Sequence, residues 1–234
     1  MSALAVLGPS FVREHLRTRL TLVLLVAVPA FFVLIFASVL GQFATALGGS
    51  LAGQAATAIS AGWAAAFLSG ALAFFEVVSS RGADRRLALA GLGAGRVALA
   101  RITAAVSLAV VVSAVAFLTL TLRSGIAHPL HAAVAILGFA AIYIGIGALI
   151  GAFVSGPLEG SLLVMLVFSI DVFSGPGMTS GGGLLASLTP TRKAGDLLIA
   201  AGSEQGSAAG TWLTVAAVAL GALGIALAAF WFTA

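Results

Sequence analysis

The sequence predicts an all-α polytopic membrane protein of six transmembrane helices, and three observations predict it. Hydrophobic residues make up 61% of the 234 residues and charged residues only 8%, whereas a soluble domain carries about a quarter charged residues over its surface. The apolar residues gather in runs long enough to cross a hydrocarbon core about 30 Å thick, which takes roughly 20 residues of helix. The bases sit in short clusters between those runs. No run alternates as a barrel strand does, and open sheet edges are not tolerated in lipid, so the spans are helical.

The spans fall at 20–40, 57–79, 101–122, 131–153, 160–175 and 209–232. The first begins after a charged lead and is longer than the apolar stretch of a cleaved signal, so it is expected to be a permanent span. The fifth is short and is expected to continue into irregular structure at Ser174-Gly175-Pro176-Gly177. Arg13, Arg17 and Arg19 precede the first span, and Arg81, Arg85, Arg86, Arg96 and Arg101 lie between the second and third. With six spans these eight of the eleven bases share a side, leaving Arg123, Arg192 and Lys193 opposite. The positive-inside rule then puts the N-terminus, the 80–100 loop and the C-terminus in the cytoplasm.

Within the spans, Gly62, Ala66 and Gly70 recur every four residues, as do Gly147 and Gly151. Small residues at that spacing let helix backbones approach closely in lipid, and they predict tight packing or a dimer face.

Three segments are not simple spans. Gly8–Arg19 gathers Phe11, Val12, His15 and Leu16 on one side with Arg13 and Arg17 on the other, the pattern of a basic amphipathic helix lying in the interface. In the 80–100 loop, Asp84 can cap a short helix through Ala90, with Gly91, Gly93 and Gly95 breaking it before the next span. Such a helix, carrying arginines and leucines, either rests on the bilayer or docks on a partner. The outer segment 176–207 is glycine-rich and then helical, with Thr191 as cap and Ala194, Leu197, Leu198 and Ala201 at helical spacing. Neither part is long enough to span, so a pair of re-entrant half-helices is expected.

Chemistry is sparse. There is no cysteine, which removes disulfides, thiolate metal sites and cysteine nucleophiles. The sequence pI is about 11.1, but the net charge is only +4 and the bases form no soluble face, so nucleic acid is not an expected partner. The phosphate-cradling GxxxxGK[ST] motif is absent, so the chain binds no nucleotide through it. A serine intramembrane protease would need a GxSG serine and a later histidine. The nearest match, Phe153-Val154-Ser155-Gly156, lacks the first glycine, and no histidine follows His131. His128 and His131 flank Pro129 with no carboxylate nearby to complete a metal site. Glu76 and Asp171 are carboxylates within or at the ends of spans, where an ionised group costs on the order of 3 kcal/mol unless it faces protein or water. Glu76 can reach Arg81 or the interface, and both are candidates for a transport path.

Taken together, the order of parts resembles the permease subunit of ABC-2-type ABC transporters over essentially the whole chain. The resemblance rests on the Gly8–Arg19 helix, on Glu76-Val77-Val78-Ser79-Ser80-Arg81-Gly82 followed by Arg85-Arg86-Leu87-Ala88-Leu89, and on the outer segment around Leu188-Thr189-Pro190-Thr191. It departs in having no acidic residue in Leu87–Leu92 and a glycine-rich turn after it. The resemblance implies that Arg81, Asp84, Arg85, Arg86, Leu87, Leu89 and Leu92 form a coupling surface for a separate ATP-binding cassette ATPase. It implies that Glu76, Asp171, Leu197 and Leu198 border the path or its outer gate. This chain would bind no cofactor and catalyse nothing, with ATP and magnesium on the partner. It would pair with a second copy or a paralogue in a bacterial plasma (inner) membrane and export a hydrophobic or amphipathic small molecule. An ATP-independent channel or secondary transporter is the alternative.

Overall fold

The computed structural model describes residues 19–178, 189–202 and 209–233. The amphipathic helix expected over 8–19, and parts of the outer segment 176–207 with Leu188 among them, lie outside the described residues. Among the described residues there is no β-strand, and five helices are long and apolar enough to cross a membrane. The chain is an all-α, multi-pass membrane protein.

The first span is α1 (Arg19–Phe31), a π-helical turn at Phe32–Phe36 and α2 (Ala37–Ala46). Pro29 in α1 has no N–H to give, and the ladder widens within a turn of it. Next come α3 (Gly53–Leu87), a second π-helical turn at Ala88–Leu92, and α4 (Ala94–Arg123). The chain continues through α5 (Pro129–Phe153), α6 (Pro157–Phe173), α7 (Arg192–Ala200) and α8 (Ala209–Thr233). Pro129 and Pro157 each open their helix at the first turn, where a missing N–H costs nothing.

Contacts fix the directions. Gln54 of α3 donates to the Gly125 carbonyl just past α4, and Arg101 near the start of α4 meets Glu76 and Asp84 late in α3. These two helices are antiparallel. Arg81 reaches the carbonyls at the end of α5, so α5 runs with α3, and α8 runs with α5, since Val215 faces Gly138 and Ala222 faces Gly145. One end of the bundle therefore holds the end of α3, the start of α4 and the arginines between them. We call it the basic end, and the opposite one the far end.

The core is α3 and α5, brought together by glycine. A Cβ on Gly147 would strike the Gly70 carbonyl, and one on Gly151 would come within 2.9 Å of the Val77 side chain. Gly62 leaves room for the ring of Phe139. The small-residue spacings read as tight packing or a dimer face are used here for packing between α3 and α5 of one chain. Two further glycines of α5, Gly138 and Gly145, face α8. Trp63, Phe74, Phe139 and Tyr143 fill the space between these backbones and are fully buried. Exposed apolar residues such as Val26, Leu34, Leu118, Leu162 and Leu220 cover the outside, as a surface solvated by lipid requires.

One expectation about boundaries is corrected. There is no separate short helix capped by Asp84: α3 continues unbroken past the apolar stretch to Leu87, because Ser79 to Arg86 contains no residue that stops a helix. The break comes at Gly91 and Gly93, at φ 97° and 76°, values that glycine alone adopts without strain. The fifth apolar run is a helix of 17 residues, about 26 Å at 1.5 Å per residue and short of the hydrocarbon thickness. Past Phe173 the chain turns, as expected at Ser174-Gly175-Pro176-Gly177. The Gly177 carbonyl accepts the N–H groups of Ser50 and Leu51 at 3.0 and 2.9 Å, beside the start of α3.

The packing predicts a graded result for two substitutions. Gly147→Val forces α3 and α5 apart and should cost about 1–3 kcal/mol, the usual range for overpacking. Gly221→Ala, with open space around it, should be neutral or slightly stabilising through helix propensity. Thermal unfolding in detergent of the two variants against the parent chain checks this, with a clear drop in midpoint expected for the first only.

Candidate functional site

Two buried polar clusters stand out of the apolar interior, one at the basic end and one at mid-depth. The first is built on Arg101. Its Nη2 donates to Asp84 Oδ1 at 2.8 Å and its Nε to both Asp84 oxygens at 3.1 Å, while Nη1 donates to Glu76 Oε1. All three side chains are at least nine-tenths buried. Glu76 and Asp84 lie just over two helical turns apart, so they fall on neighbouring faces of α3 and one guanidinium can bridge both. The planar fork of arginine suits this, since it offers donors along two edges at once.

This arrangement corrects three readings of the sequence. Asp84 is an ion-pair partner inside the helix rather than its cap. Among the described residues Glu76 pairs not with Arg81 but with Arg101, seventeen residues beyond Asp84 along the chain. Arg101 itself was counted among the bases flanking a span, and its buried role was missed. A visible signal did exist. Arginine at the start of an apolar run, with two acids upstream in a hairpin of antiparallel helices, is poised to pair across the turn.

Arg81 is half-buried and spends its Nη2 on the carbonyls of Gly151 and, at 3.5 Å, Val154. Those are the open carbonyls at the end of α5, where a cation is favoured by the helix dipole. Beyond Asp84 the expected coupling residues separate. Arg85 and Arg86 are exposed, Leu87 and Leu92 are half-buried, and Leu89 is 81% exposed. The arm from Ser79 to Leu92 thus has an anchored inner face of Arg81 and Asp84 and an outward face of Arg85, Arg86 and Leu89.

The second cluster is built on Asp171, which is 2% exposed and not an interfacial residue. Tyr143 Oη donates to its Oδ2 at 2.9 Å. Thr191 Oγ1 lies 2.7 Å from both of its oxygens. Tyr143 is at the middle of α5, so the carboxylate sits near mid-depth. Thr191 occupies the N-terminal end of α7, but its hydroxyl does not cap that helix as expected, because it turns to Asp171 instead. From there α7 runs back toward the far end, where the Ala201 carbonyl accepts from the His128 N–H at 3.0 Å. Leu197 and Leu198 are fully buried, with Leu198 against α3 at Gly62. α7 is thus packed into the bundle, with Asp171 at its positive N-terminal end. His128 and His131 rings pack 5.0 Å apart and His131 lies 4.6 Å from Trp212, an aromatic cluster at the far end. Among the described residues, no group of three His, Asp or Glu side chains could hold a metal.

The Arg101 cluster yields a stability prediction. Removing one partner of a buried ion pair leaves a charge without compensation and typically costs 3–5 kcal/mol. Arg101→Leu should therefore lower the unfolding midpoint in detergent more than Arg85→Leu, which removes an exposed arginine. Arg101→Lys should recover only part of the loss, since one ammonium cannot match the fork to both carboxylates. Equal midpoints for Arg101→Leu and Arg85→Leu would show that the cluster contributes nothing.

No protein-family model matches the chain, and no curated protein matches it either.

Proposed function

We propose that the chain is the membrane permease subunit of an ATP-driven exporter of the ABC-2 type, moving a hydrophobic or amphipathic small molecule outward. The observation that carries this reading is the arm at the basic end. Gly53–Leu87 is 35 residues of unbroken α-helix, about 52 Å at 1.5 Å per residue and well beyond the hydrocarbon thickness of about 30 Å. Its outer part ends in a glycine-broken turn and presents Arg85, Arg86 and Leu89. An exposed leucine flanked by arginines beyond the apolar core is poorly suited to water alone, and it fits a groove on a partner with acidic and apolar lining.

The root of the arm supports a mechanical role. Asp84 and Glu76 bind it to α4 through Arg101, and Arg81 binds it to the end of α5. A push on Leu89 is therefore passed to three helices and not absorbed by one. In this reading the partner is an ATP-binding cassette ATPase that holds ATP and magnesium, the permease works as a dimer, and this chain carries no catalytic residue. The basic end would face the cytoplasm of a bacterium, with both termini on that side. ATP binding can drive the change only if the two permease states bind the ATPase unequally. At mid-depth, Asp171 and Thr191 would hold α7 as the outer gate, with Leu197 and Leu198 as its seal.

The buried carboxylate at mid-depth favours a second reading, an ATP-independent channel or carrier, because ionisable groups at that depth often mark ion paths. The two readings separate cleanly in one experiment. From native membranes, the intact chain should bring down a cassette ATPase, and Arg85→Glu with Arg86→Glu should release it or uncouple its ATP hydrolysis from transport by about tenfold or more, the size of two lost charge contacts. The reading is wrong if the chain comes down without any ATPase and moves cargo in proteoliposomes without ATP.

A further inference from the structure

At the far end, α2, the start of α3 and the end of α4 border an open cavity of about 430 Å³. Ser38, Gln42 and Thr45 line it from α2, Thr57 from α3 and Arg123 from α4. The position of the guanidinium is unusual for the last residue of a membrane helix. Long basic side chains at helix ends ordinarily snorkel outward to water and headgroups. Helical side chains lean toward their own N-terminus, however, and for α4 that direction is back into the membrane. Arg123 follows it and donates through Nη1 to the Leu34 carbonyl. That carbonyl belongs to the π-helical turn at Phe32–Phe36, where the regular ladder is interrupted and an acceptor is offered sideways.

The arginine is thereby tethered beside an apolar stretch, with Leu34 and Leu122 exposed around it. Among the described residues no carboxylate lies within ion-pair distance of Arg123. The hydroxyls of Ser38, Thr45 and Thr57 each donate to a carbonyl of their own helix, which leaves their oxygens facing the cavity as acceptors. Gln42 adds an exposed amide able to donate. The site thus offers one fixed cation, one amide donor and an apolar rim, with no anion of its own.

We infer that this cavity binds the phosphate of a phospholipid, with Arg123 on the phosphate and the acyl chains running down past Leu34 and Leu122. Arginine binds phosphate through a pair of parallel donors, and Nη2 and Nε remain for that after Nη1 is spent on Leu34. An apolar rim next to a charged floor matches an amphiphile and not a free ion. The inference stands apart from the transport reading, since it requires neither a partner ATPase nor movement of cargo.

The test is native mass spectrometry of the full chain released from nanodiscs. One set contains phosphatidylglycerol, and a second contains phosphatidylcholine with diacylglycerol added. The parent chain should retain phosphatidylglycerol or phosphatidylcholine and not diacylglycerol, which has the chains but no phosphate. Arg123→Gln should lose about tenfold in retention, the weight of one charge-assisted contact, while Arg96→Gln at the basic end should not. Gly41→Leu gives a second route: Gly41 lines the cavity, its Cβ would meet only ordinary contacts, and a leucine there should expel the lipid with the arginine intact. Displacement by inorganic phosphate in the millimolar range would reassign the site to a free anion and overturn the lipid. Equal retention by the parent chain, Arg123→Gln and Gly41→Leu, or retention of diacylglycerol as strong as that of phospholipid, would overturn the site itself. If Arg123→Gln fails to fold, Gly41→Leu decides alone.

Discussion

Everything in this bundle depends on how closely α3 and α5 approach. In water, two apolar helices are driven together by the release of solvent, but in lipid the surroundings are as apolar as the helices themselves. What remains is dispersion and backbone contact, and both fall off within a fraction of an ångström. Gly70 and Gly147 remove the side chains that would hold the two backbones apart, and Gly62 and Gly151 extend the same seam toward either end. Tyr143 packs against Gly70, Phe139 against Gly62, and α7 then lies on the ledge these rings make with Ile59. With larger residues in the seam, α5 would be held away from α3 and Tyr143 from its place against Gly70.

The polar groups divide by depth in a way the bilayer demands. Charges that must stay charged are at the basic end, where Arg101 is compensated by two acids and Arg81 by helix-end carbonyls. The carboxylate at mid-depth has no basic partner among the described residues and takes hydroxyl partners there, from Tyr143 and Thr191. A hydroxyl can donate to a carboxylate and can also accept from a carboxylic acid, so this pocket tolerates either protonation state without a new partner. An ion pair would not. The far end uses a third device, holding Arg123 on a backbone carbonyl that a π-helical turn makes available.

Much of the fold was legible in the composition and the run lengths, because a chain with 8% charged residues has one solvent available to it. The small-residue spacings were legible for the same reason: Gly62, Gly70, Gly147 and Gly151 stand where only close packing rewards them. The sites were harder to read. Asp84 looked like a cap because aspartate so often begins helices, and only the unbroken course of α3 makes it an interior residue. Arg101 looked like a flanking base because a one-dimensional pattern does not show that α4 folds back alongside α3 and delivers it to Glu76. Thr191 likewise had a local role available, and a carboxylate twenty residues earlier in the chain won its hydroxyl. In each case a contact between distant segments displaced a local preference of about 1 kcal/mol, as a charge-assisted bond in a dry interior can.

The two clusters also explain why α3 is built as one piece. If a short helix were hinged at Asp84, a force on Leu89 would turn the hinge and leave the bundle at rest. Because the helix is continuous, in the transport reading its outer arm and its buried seam with α5 would move as a rod, and the Arg101 bridge would make α4 share that motion. The same rod passes Trp63, whose ring packs on Gly175 just past α6, and Ile59, which packs on Gly195 of α7. In the transport reading, a displacement of α3 at the basic end would be felt where Asp171 and Thr191 hold α7. Coupling of this kind requires two arrangements of the rod that differ in free energy.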